Sequence, residues 1–322
     1  HWRNRPALQG GALMRGIVAA GAVLASVVTA GGFVASRYRG RQRPSASPVA
    51  GIFGNGMAYV RWGDGPKKLL IIPGGPDNMV PRGMQLSAMV KLASLLVANG
   101  YTAWAAARKQ HMPEGYGILD MAGDYAQLIA DEFDGHVDTL IGVSYGGRIA
   151  LALAARHPEG LTHMVCAGSG HAADGPANEA DVTYARLLVD GRTSEAMALH
   201  IGHGFPQTRR WGIARVLGAA VAPLFMRGAH PYYAGDTLVE AEAQMDFDAR
   251  SMLPDIRIPV LVVGGGADQY FARDVTEETA RLIPDSSLRV YDGKDHLGTF
   301  TDKRLPRDIR DFVEQQAVVV SA

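Results

Sequence analysis

Short apolar runs separated by helical patterns recur along most of this chain. Each run is nearly continuous, as is typical of strands that are buried on both faces. The stretches between them carry apolar residues at helical spacing. The seven runs lie at 57–62, 69–72, 102–106, 139–143, 163–167, 260–263 and 288–291. This alternation predicts an α/β fold, with a mostly parallel central sheet and helices on both faces.

The interval 172–249 breaks this alternation. It contains helical patterns at 180–189, 194–200, 212–225 and 237–245, and no convincing strand. We therefore expect a helical cap over 172–249, inserted into a core formed by 51–171 and 250–322. A Pro/Ser-rich linker is expected over 44–50, just before this core.

One apolar run leads directly into a Gly-Val-Ser-Tyr-Gly motif at 142–146, and a helical pattern over 149–155 follows. A sharp turn between strand and helix strains its central residue and needs small residues two positions to either side. This context predicts that Ser144 is lifted clear of the sheet as a nucleophile. The alternative is an ordinary turn, because the motif alone is common.

A serine nucleophile needs a histidine base and a carboxylate that orients the base. Asp268 follows the run at 260–263, and His296 follows the run at 288–291. Both are therefore expected at the carboxyl edge of the sheet, where open α/β sheets keep their chemistry. Asp292 and Asp295 are alternative acids, but they lie too close to His296 in sequence to reach its far ring nitrogen easily.

The run at 69–72 ends in a Pro-Gly-Gly-Pro turn at 73–76. The tetrahedral intermediate of acyl transfer carries a negative oxygen, which backbone amides can stabilise. We expect one donor to be the amide of Tyr145, directly after the nucleophile. The other expected donor is the amide of Gly75, because Pro76 has no N–H and glycine allows close approach. A Gly/Pro turn without this role is the alternative.

Over roughly 51–316, these motifs resemble those of α/β-hydrolases of the capped esterase, lipase and peroxidase-like type. The order Ser144, Asp268, His296 along the chain is the order found in that fold. Further matches are Ala-Ala-Arg-His-Pro at 154–158, Ile-Pro-Val-Leu at 258–261 and the Asp-His pair at 295–296. The resemblance implies the α/β-hydrolase fold, with a mostly parallel sheet and a helical cap insertion.

Two segments depart from the family pattern. Pro73 stands where the family often has histidine. The segment at 107–115 reads Ala-Arg-Lys-Gln-His-Met-Pro-Glu-Gly, where the family often has Asp-x-x-Gly-x-Gly-x-Ser. The family pattern therefore does not predict which residues form the entrance of the site.

Composition agrees with a soluble enzyme and excludes some partners. The 322 residues are 47% hydrophobic and 20% charged, with 32 basic and 32 acidic side chains. This neutral balance does not attract a nucleic acid, and no basic stripe with interleaved aromatic residues is present. The single cysteine, Cys166, lies in an apolar run and is expected to be a buried packing residue. No cofactor is implied, and His200 and His203 lack an identifiable third metal ligand.

The segment 16–36 carries no charge over 21 residues, which is long enough to span a bilayer. Arginines follow it at 37, 39, 41 and 43, and this charge bias favours an anchor over 1–43 with a cytoplasmic hydrolase. Because the segment is rich in Ala and Gly, its insertion is marginal. A signal peptide cleaved after 28–30, followed by export, and a peripheral helix are the alternatives.

These features predict a serine hydrolase that cleaves carboxylic esters through an acyl-enzyme on Ser144. Apolar residues of the predicted cap suggest a hydrophobic acyl or aryl substrate: Leu217, Val221, Leu224, Phe225, Met226, Tyr232 and Tyr233. A C–C bond hydrolase, a cofactor-free perhydrolase or an acyltransferase would use much the same residues. A non-enzymatic ligand-binding receptor with this fold is the alternative of a different class.

Overall fold

An eight-stranded sheet forms the centre of the protein in a computed structural model that describes residues 47–173, 175–204 and 229–320. Its order is β1-β2-β4-β3-β5-β6-β7-β8. The pairs β1–β2 and β2–β4 are antiparallel, and all other neighbours are parallel. The strands are β1 (Val49–Ile52), β2 (Ala58–Gly63), β3 (Lys67–Ile72), β4 (Tyr101–Ala106), β5 (Val137–Val143), β6 (Leu161–Ala167), β7 (Val260–Gly265) and β8 (Ser286–Tyr291).

The seven predicted strands are confirmed, with ends that move by at most two residues. Strand β1 was not predicted, and the last two residues of the linker expected over 44–50 belong to it. Three of its four residues are exposed, so this edge strand has no buried face that would produce an apolar pattern. Cys166 is buried in β6 as expected, and burial raises the pKa of its thiol to about 12.

Helices cover both faces of the sheet. The helices are α1 (Gly83–Ala98), α2 (Ile118–Glu132), α3 (Tyr145–Arg156), α4 (Gly175–Val189), α5 (Thr193–Gly204), α6 (Tyr233–Ala243), α7 (Arg273–Leu282), α8 (His296–Thr301) and α9 (Leu305–Val320). On one face, Leu70 and Ile72 of β3 pack in a cluster with α2 and α3. On the other face, Leu69 and Ile71 pack in a cluster with α1 and α9. This alternation along β3 fits a strand buried on both faces.

Three of the four helices predicted for the interval 172–249 are present as α4, α5 and α6. The predicted helix at 212–225 lies outside the described residues. The described helices share a small apolar cluster of Tyr184, Leu188, Ala196 and Tyr233. The boundaries of a separate cap domain stay a prediction.

The apolar segment 16–36 also lies outside the described residues. Among the helices in the described ranges, none is long and apolar enough to cross a membrane.

Candidate active site

Ser144 occupies a sharp turn between β5 and α3. Its φ of 51° and ψ of −121° form a strained combination for a residue with a side chain. A Cβ atom added at Gly142 would lie 2.5 Å from the Cα of Gly147, and one at Gly146 would collide with the carbonyl oxygen of Ile72. The predicted strand, turn and helix are therefore present, and glycine is required on both sides of the serine.

Two hydrogen bonds connect Ser144, His296 and Asp268. Ser144 Oγ lies 2.9 Å from His296 Nε2, and His296 Nδ1 lies 2.8 Å from Asp268 Oδ2. The other carboxylate oxygen of Asp268 accepts bonds from the amides of Tyr270 at 2.8 Å and Phe271 at 3.0 Å. Since Asp268 is held through both oxygens, it can keep the Nδ1 proton of His296 on its own side. The Nε2 atom then faces Ser144 as an acceptor.

The alternative acids have other partners. Asp292 has a side chain that is 83% exposed and pairs with Arg273 at 2.8 Å. Asp295 accepts a bond of 2.7 Å from the amide of Gly298. Of the three candidate acids, Asp268 is the one with a hydrogen bond to the His296 ring. One detail differs, because His296 was expected on a loop and instead begins α8, whose N-cap is Asp295.

Aromatic rings surround the imidazole of His296. The ring centroids of Tyr270, Phe271 and Phe300 lie 4.8, 5.9 and 5.3 Å from that of His296. The His296 side chain is 11% exposed, so the rings limit both its rotation and its contact with water.

The turn at 73–76 lies against the nucleophile. A Cβ atom on Gly74 would lie 3.3 Å from Ser144 Cβ and 3.8 Å from Ser144 Oγ. Tyr145 is the first residue of α3, so its amide has no acceptor within the helix. The turn and the helix start therefore both border Ser144, and the donor roles of Gly75 and Tyr145 stay predictions.

Sequence reasoning missed a buried ion pair next to this turn. Arg108 follows β4, and Glu240 lies on α6; their side chains are 1% and 0% exposed. Burial alone would lower the pKa of Arg108, but the charge and hydrogen bonds of Glu240 raise it above its usual value. Burial raises the pKa of Glu240, whereas the charge and hydrogen bonds of Arg108 act in the opposite direction. Because an arginine stays protonated in proteins and donates to both carboxylate oxygens at 2.7 Å, the pair is ionic. The departure of segment 107–115 from the family pattern was the available signal, but nothing in the sequence connects it to residue 240.

A second missed group is Asp181 on α4, which accepts a bond of 2.9 Å from Gln244 Nε2. Burial raises the pKa of Asp181 to about 7, while the hydrogen bond from Gln244 and the charges of His296 and Arg148 act in the opposite direction. Asp181 is thus a buried carboxyl group within electrostatic range of the His296 ring.

We expect Asp181→Asn to stabilise the protein more at pH 8 than at pH 5. The raised pKa means that protonated Asp181 favours folding, and this contribution is lost as pH rises from about 4 to about 7. Asparagine does not titrate, so its advantage in free energy of unfolding should grow by about 2 to 3 kcal/mol between pH 5 and pH 8. Urea unfolding at both pH values measures it, with the exposed Asp292→Asn as control. A difference that does not change with pH would contradict the raised pKa.

The chain is similar to several known proteins. Non-heme chloroperoxidase CPO-A1 of Kitasatospora aureofaciens is 27% identical over 277 residues, which cover 80% of this chain and 95% of that protein. The pimeloyl-[acyl-carrier protein] methyl ester esterase of Aromatoleum aromaticum is 29% identical over 167 residues, 48% of this chain and 65% of that protein. The crystal structure of the enol-lactonase from Burkholderia xenovorans shares the fold, with a TM-score of 0.62 at 20% identity. The match covers 84% of this chain and 100% of that one.

The model of the alpha/beta hydrolase family matches residues 69–305. This range includes strands β3 to β8, apart from the first two residues of β3, and the three hydrogen-bonded residues Ser144, Asp268 and His296. The chain belongs to the alpha/beta hydrolase family.

Proposed function

We propose that the protein is a serine hydrolase that cleaves carboxylic esters through an acyl-enzyme on Ser144. The observation that carries the proposal is the hydrogen-bonded series from Ser144 Oγ to His296 Nε2 at 2.9 Å and from His296 Nδ1 to Asp268 at 2.8 Å. A hydroxyl, an imidazole and a carboxylate in this arrangement can activate the hydroxyl at neutral pH.

In the proposed acylation step, Ser144 Oγ attacks the ester carbonyl carbon while His296 Nε2 accepts the hydroxyl proton. Asp268 stabilises the imidazolium that forms. The oxygen of the tetrahedral intermediate accepts hydrogen bonds from the proposed donors, the amides of Gly75 and Tyr145. His296 then gives its proton to the leaving alkoxide, and the alcohol departs as the C–O bond breaks.

Deacylation repeats these steps with water. His296 Nε2 takes a proton from the water molecule as its oxygen attacks the acyl carbon. The bond from the acyl carbon to Ser144 Oγ then breaks, and the proton on His296 returns to the serine oxygen. The products are the free carboxylic acid and the regenerated Ser144 hydroxyl.

An apolar acyl or aryl group is the proposed substrate class. Support comes from the aromatic rings of Tyr270, Phe271 and Phe300 around the imidazole. Tyr233 of the predicted cap packs in the apolar cluster with Tyr184, whereas Tyr232 is 45% exposed and stacks on His111. The predicted cap residues 217, 221, 224, 225 and 226 lie outside the described residues.

A series of p-nitrophenyl esters of increasing acyl length tests this proposal. We expect kcat/KM to rise from acetyl to medium-length acyl esters, because each buried methylene is worth up to about 0.8 kcal/mol, or roughly fourfold. The gain should stop where the pocket ends. The same series with Ser144→Ala gives the background rate for each ester. A flat profile would contradict an apolar acyl pocket, and equal rates in both proteins would contradict the esterase proposal itself.

A perhydrolase is the second candidate, favoured by the similarity to a chloroperoxidase that the match covers to 95%. In this reaction hydrogen peroxide replaces water and attacks the acyl carbon while His296 Nε2 takes one of its protons. The bond from the acyl carbon to Ser144 Oγ then breaks, the proton returns to the serine oxygen, and the product is a peracid. Product analysis with and without peroxide separates the two reactions. Peracid as the main product at low peroxide would favour the perhydrolase, and carboxylic acid alone would favour the esterase.

A further inference from the structure

We propose that Arg108 and Glu240 are positioning residues, which hold the turn at 73–76 in place beside Ser144. Through this pair, helix α6 would position the turn beside Ser144, in addition to its predicted place in the cap. This inference rests on the proposed function, because it concerns the turn expected to supply one oxyanion donor.

The Arg108 side chain connects Glu240 to the start of the turn. Its Nε and Nη2 atoms donate to Glu240 Oε1 and Oε2, both at 2.7 Å. Its Nη1 atom donates to the carbonyl oxygens of Pro73 at 2.8 Å and Gly74 at 3.1 Å. A planar guanidinium can make all these bonds at once because its donors have a fixed geometry, which a lysine lacks.

Glu240 holds the other end of the turn. Its Oε2 atom also accepts a bond of 2.9 Å from the amide of Asp77, the residue after the turn. Gly75, in the middle, packs directly on the ion pair. A Cβ atom there would lie 2.7 Å from Arg108 Nη2 and 3.1 Å from Glu240 Oε2. The turn is therefore held at its start, middle and end by these two side chains.

Helix α6 also contacts Tyr145, the residue whose backbone amide is the second predicted donor. The hydroxyl of Tyr145 donates to the carbonyl oxygen of Glu240 at 3.0 Å. One helical turn earlier, Asp236 accepts bonds from the amides of His111 at 3.0 Å and Met112 at 2.8 Å. Helix α6 thus fixes the segment after β4, the turn at 73–76 and the start of α3 relative to one another.

Such contacts affect catalysis more than substrate binding. Oxyanion donors contribute mainly in the transition state, and displacing them by about 1 Å can lower the rate about 100-fold. A loosened turn should therefore lower kcat and leave KM nearly unchanged. A pair that served only to attach α6 to the core would change stability without this effect.

Glu240→Gln and Arg108→Lys test this inference with p-nitrophenyl acetate. Glu240→Gln should lower kcat by about 10- to 100-fold, with KM within about threefold of the original value. Arg108→Lys should lower kcat less than Glu240→Gln does, because lysine keeps a positive charge beside Glu240. It should still lower kcat, since lysine lacks the fixed donor geometry of the guanidinium. The matched controls are Glu277→Gln and Arg273→Lys, from an exposed Arg–Glu pair with an Arg Nε to Glu Oε1 distance of 2.7 Å. Neither control should change kcat.

Because breaking one member of a buried pair can unfold a protein, a double variant is needed. Arg108→Met with Glu240→Leu replaces the pair by apolar side chains of similar size, which such sites often tolerate. In this variant Pro73, Gly74 and Asp77 lose their three hydrogen bonds to the two side chains. We expect cooperative thermal unfolding, as in the original protein, together with a kcat that stays at least about 10-fold low. A folded double variant with the original kcat would overturn the inference.

Hydrogen exchange separates failure of this inference from failure of the proposed function. The Asp77 amide donates to Glu240 Oε2, so its exchange rate reports on the turn without any turnover. We expect faster exchange at Asp77 in Glu240→Gln and in the double variant. If the original protein shows no Ser144-dependent hydrolysis, the proposed function fails. Exchange at the Asp77 amide then decides alone whether Arg108 and Glu240 hold the turn. Unchanged exchange at Asp77 in both variants would contradict the positioning role.

Discussion

Replacement of Ser144 by alanine is expected to lower kcat for p-nitrophenyl esters by about 10⁵- to 10⁶-fold, the loss typical of a removed nucleophile. The Oγ atom that contacts His296 Nε2 at 2.9 Å is absent from the variant, so no acyl-enzyme can form. KM should change little, because the substrate contacts of the pocket remain. A small rate above that in water should persist, since the proposed oxyanion donors do not depend on the hydroxyl.

Steady-state kinetics on the purified variant measure this loss. Ser94→Ala, an exposed serine whose hydroxyl bonds to the carbonyl oxygen of Lys91 on α1, is the matched control and should keep the original kcat. A fluorophosphonate should label the original protein and the Ser94→Ala control, but not Ser144→Ala. Undiminished hydrolysis or labelling in Ser144→Ala would remove the assignment of the nucleophile.

Asp268→Asn is expected to lower kcat by about 10³- to 10⁴-fold while the fold is retained. The amide oxygen of asparagine can still accept from the amides of Tyr270 and Phe271, which bond to Asp268 Oδ1 at 2.8 and 3.0 Å. The amide nitrogen then faces His296 Nδ1 as a donor. This favours the tautomer with its proton on Nε2, which cannot accept the proton of Ser144.

Two neighbouring carboxylates serve as controls for Asp268. Asp292→Asn changes a side chain that is 83% exposed and should keep the original kcat. Asp295→Asn changes the N-cap of α8, and an asparagine can still accept the bond from Gly298. If either control loses more activity than Asp268→Asn, Asp268 is the wrong acid. Thermal unfolding of all three variants verifies that each is folded.

Much of the fold could be predicted because its signals are local. Apolar runs such as β5 and β7 are buried along almost their whole length, so each strand is visible without its neighbours. The turn at Ser144 was also a local signal, since Gly142 and Gly146 are required by the close approach of strand and helix. The placement of Asp268 and His296 then followed from the rule that parallel strands end at one edge.

The contacts that could not be predicted join distant parts of the chain. Arg108 and Glu240 are 132 residues apart, and Glu240 lies in a helical pattern where a charged residue normally faces solvent. The pairing of Asp181 with Gln244 joins α4 to the end of α6 in the same way. Strand β1 escaped prediction for another reason, because its exposed residues lack an apolar pattern.

Rapid quenching of a p-nitrophenyl ester reaction, followed by intact-mass analysis and peptide mapping, tests the proposed acyl-enzyme most directly. We expect up to one acyl group per chain during turnover, located on the peptide that contains Ser144 and absent from Ser144→Ala. Asp268→Asn should acylate at the same serine but more slowly. An acyl group on another residue, or full turnover by Ser144→Ala, would show that Ser144 is not the nucleophile.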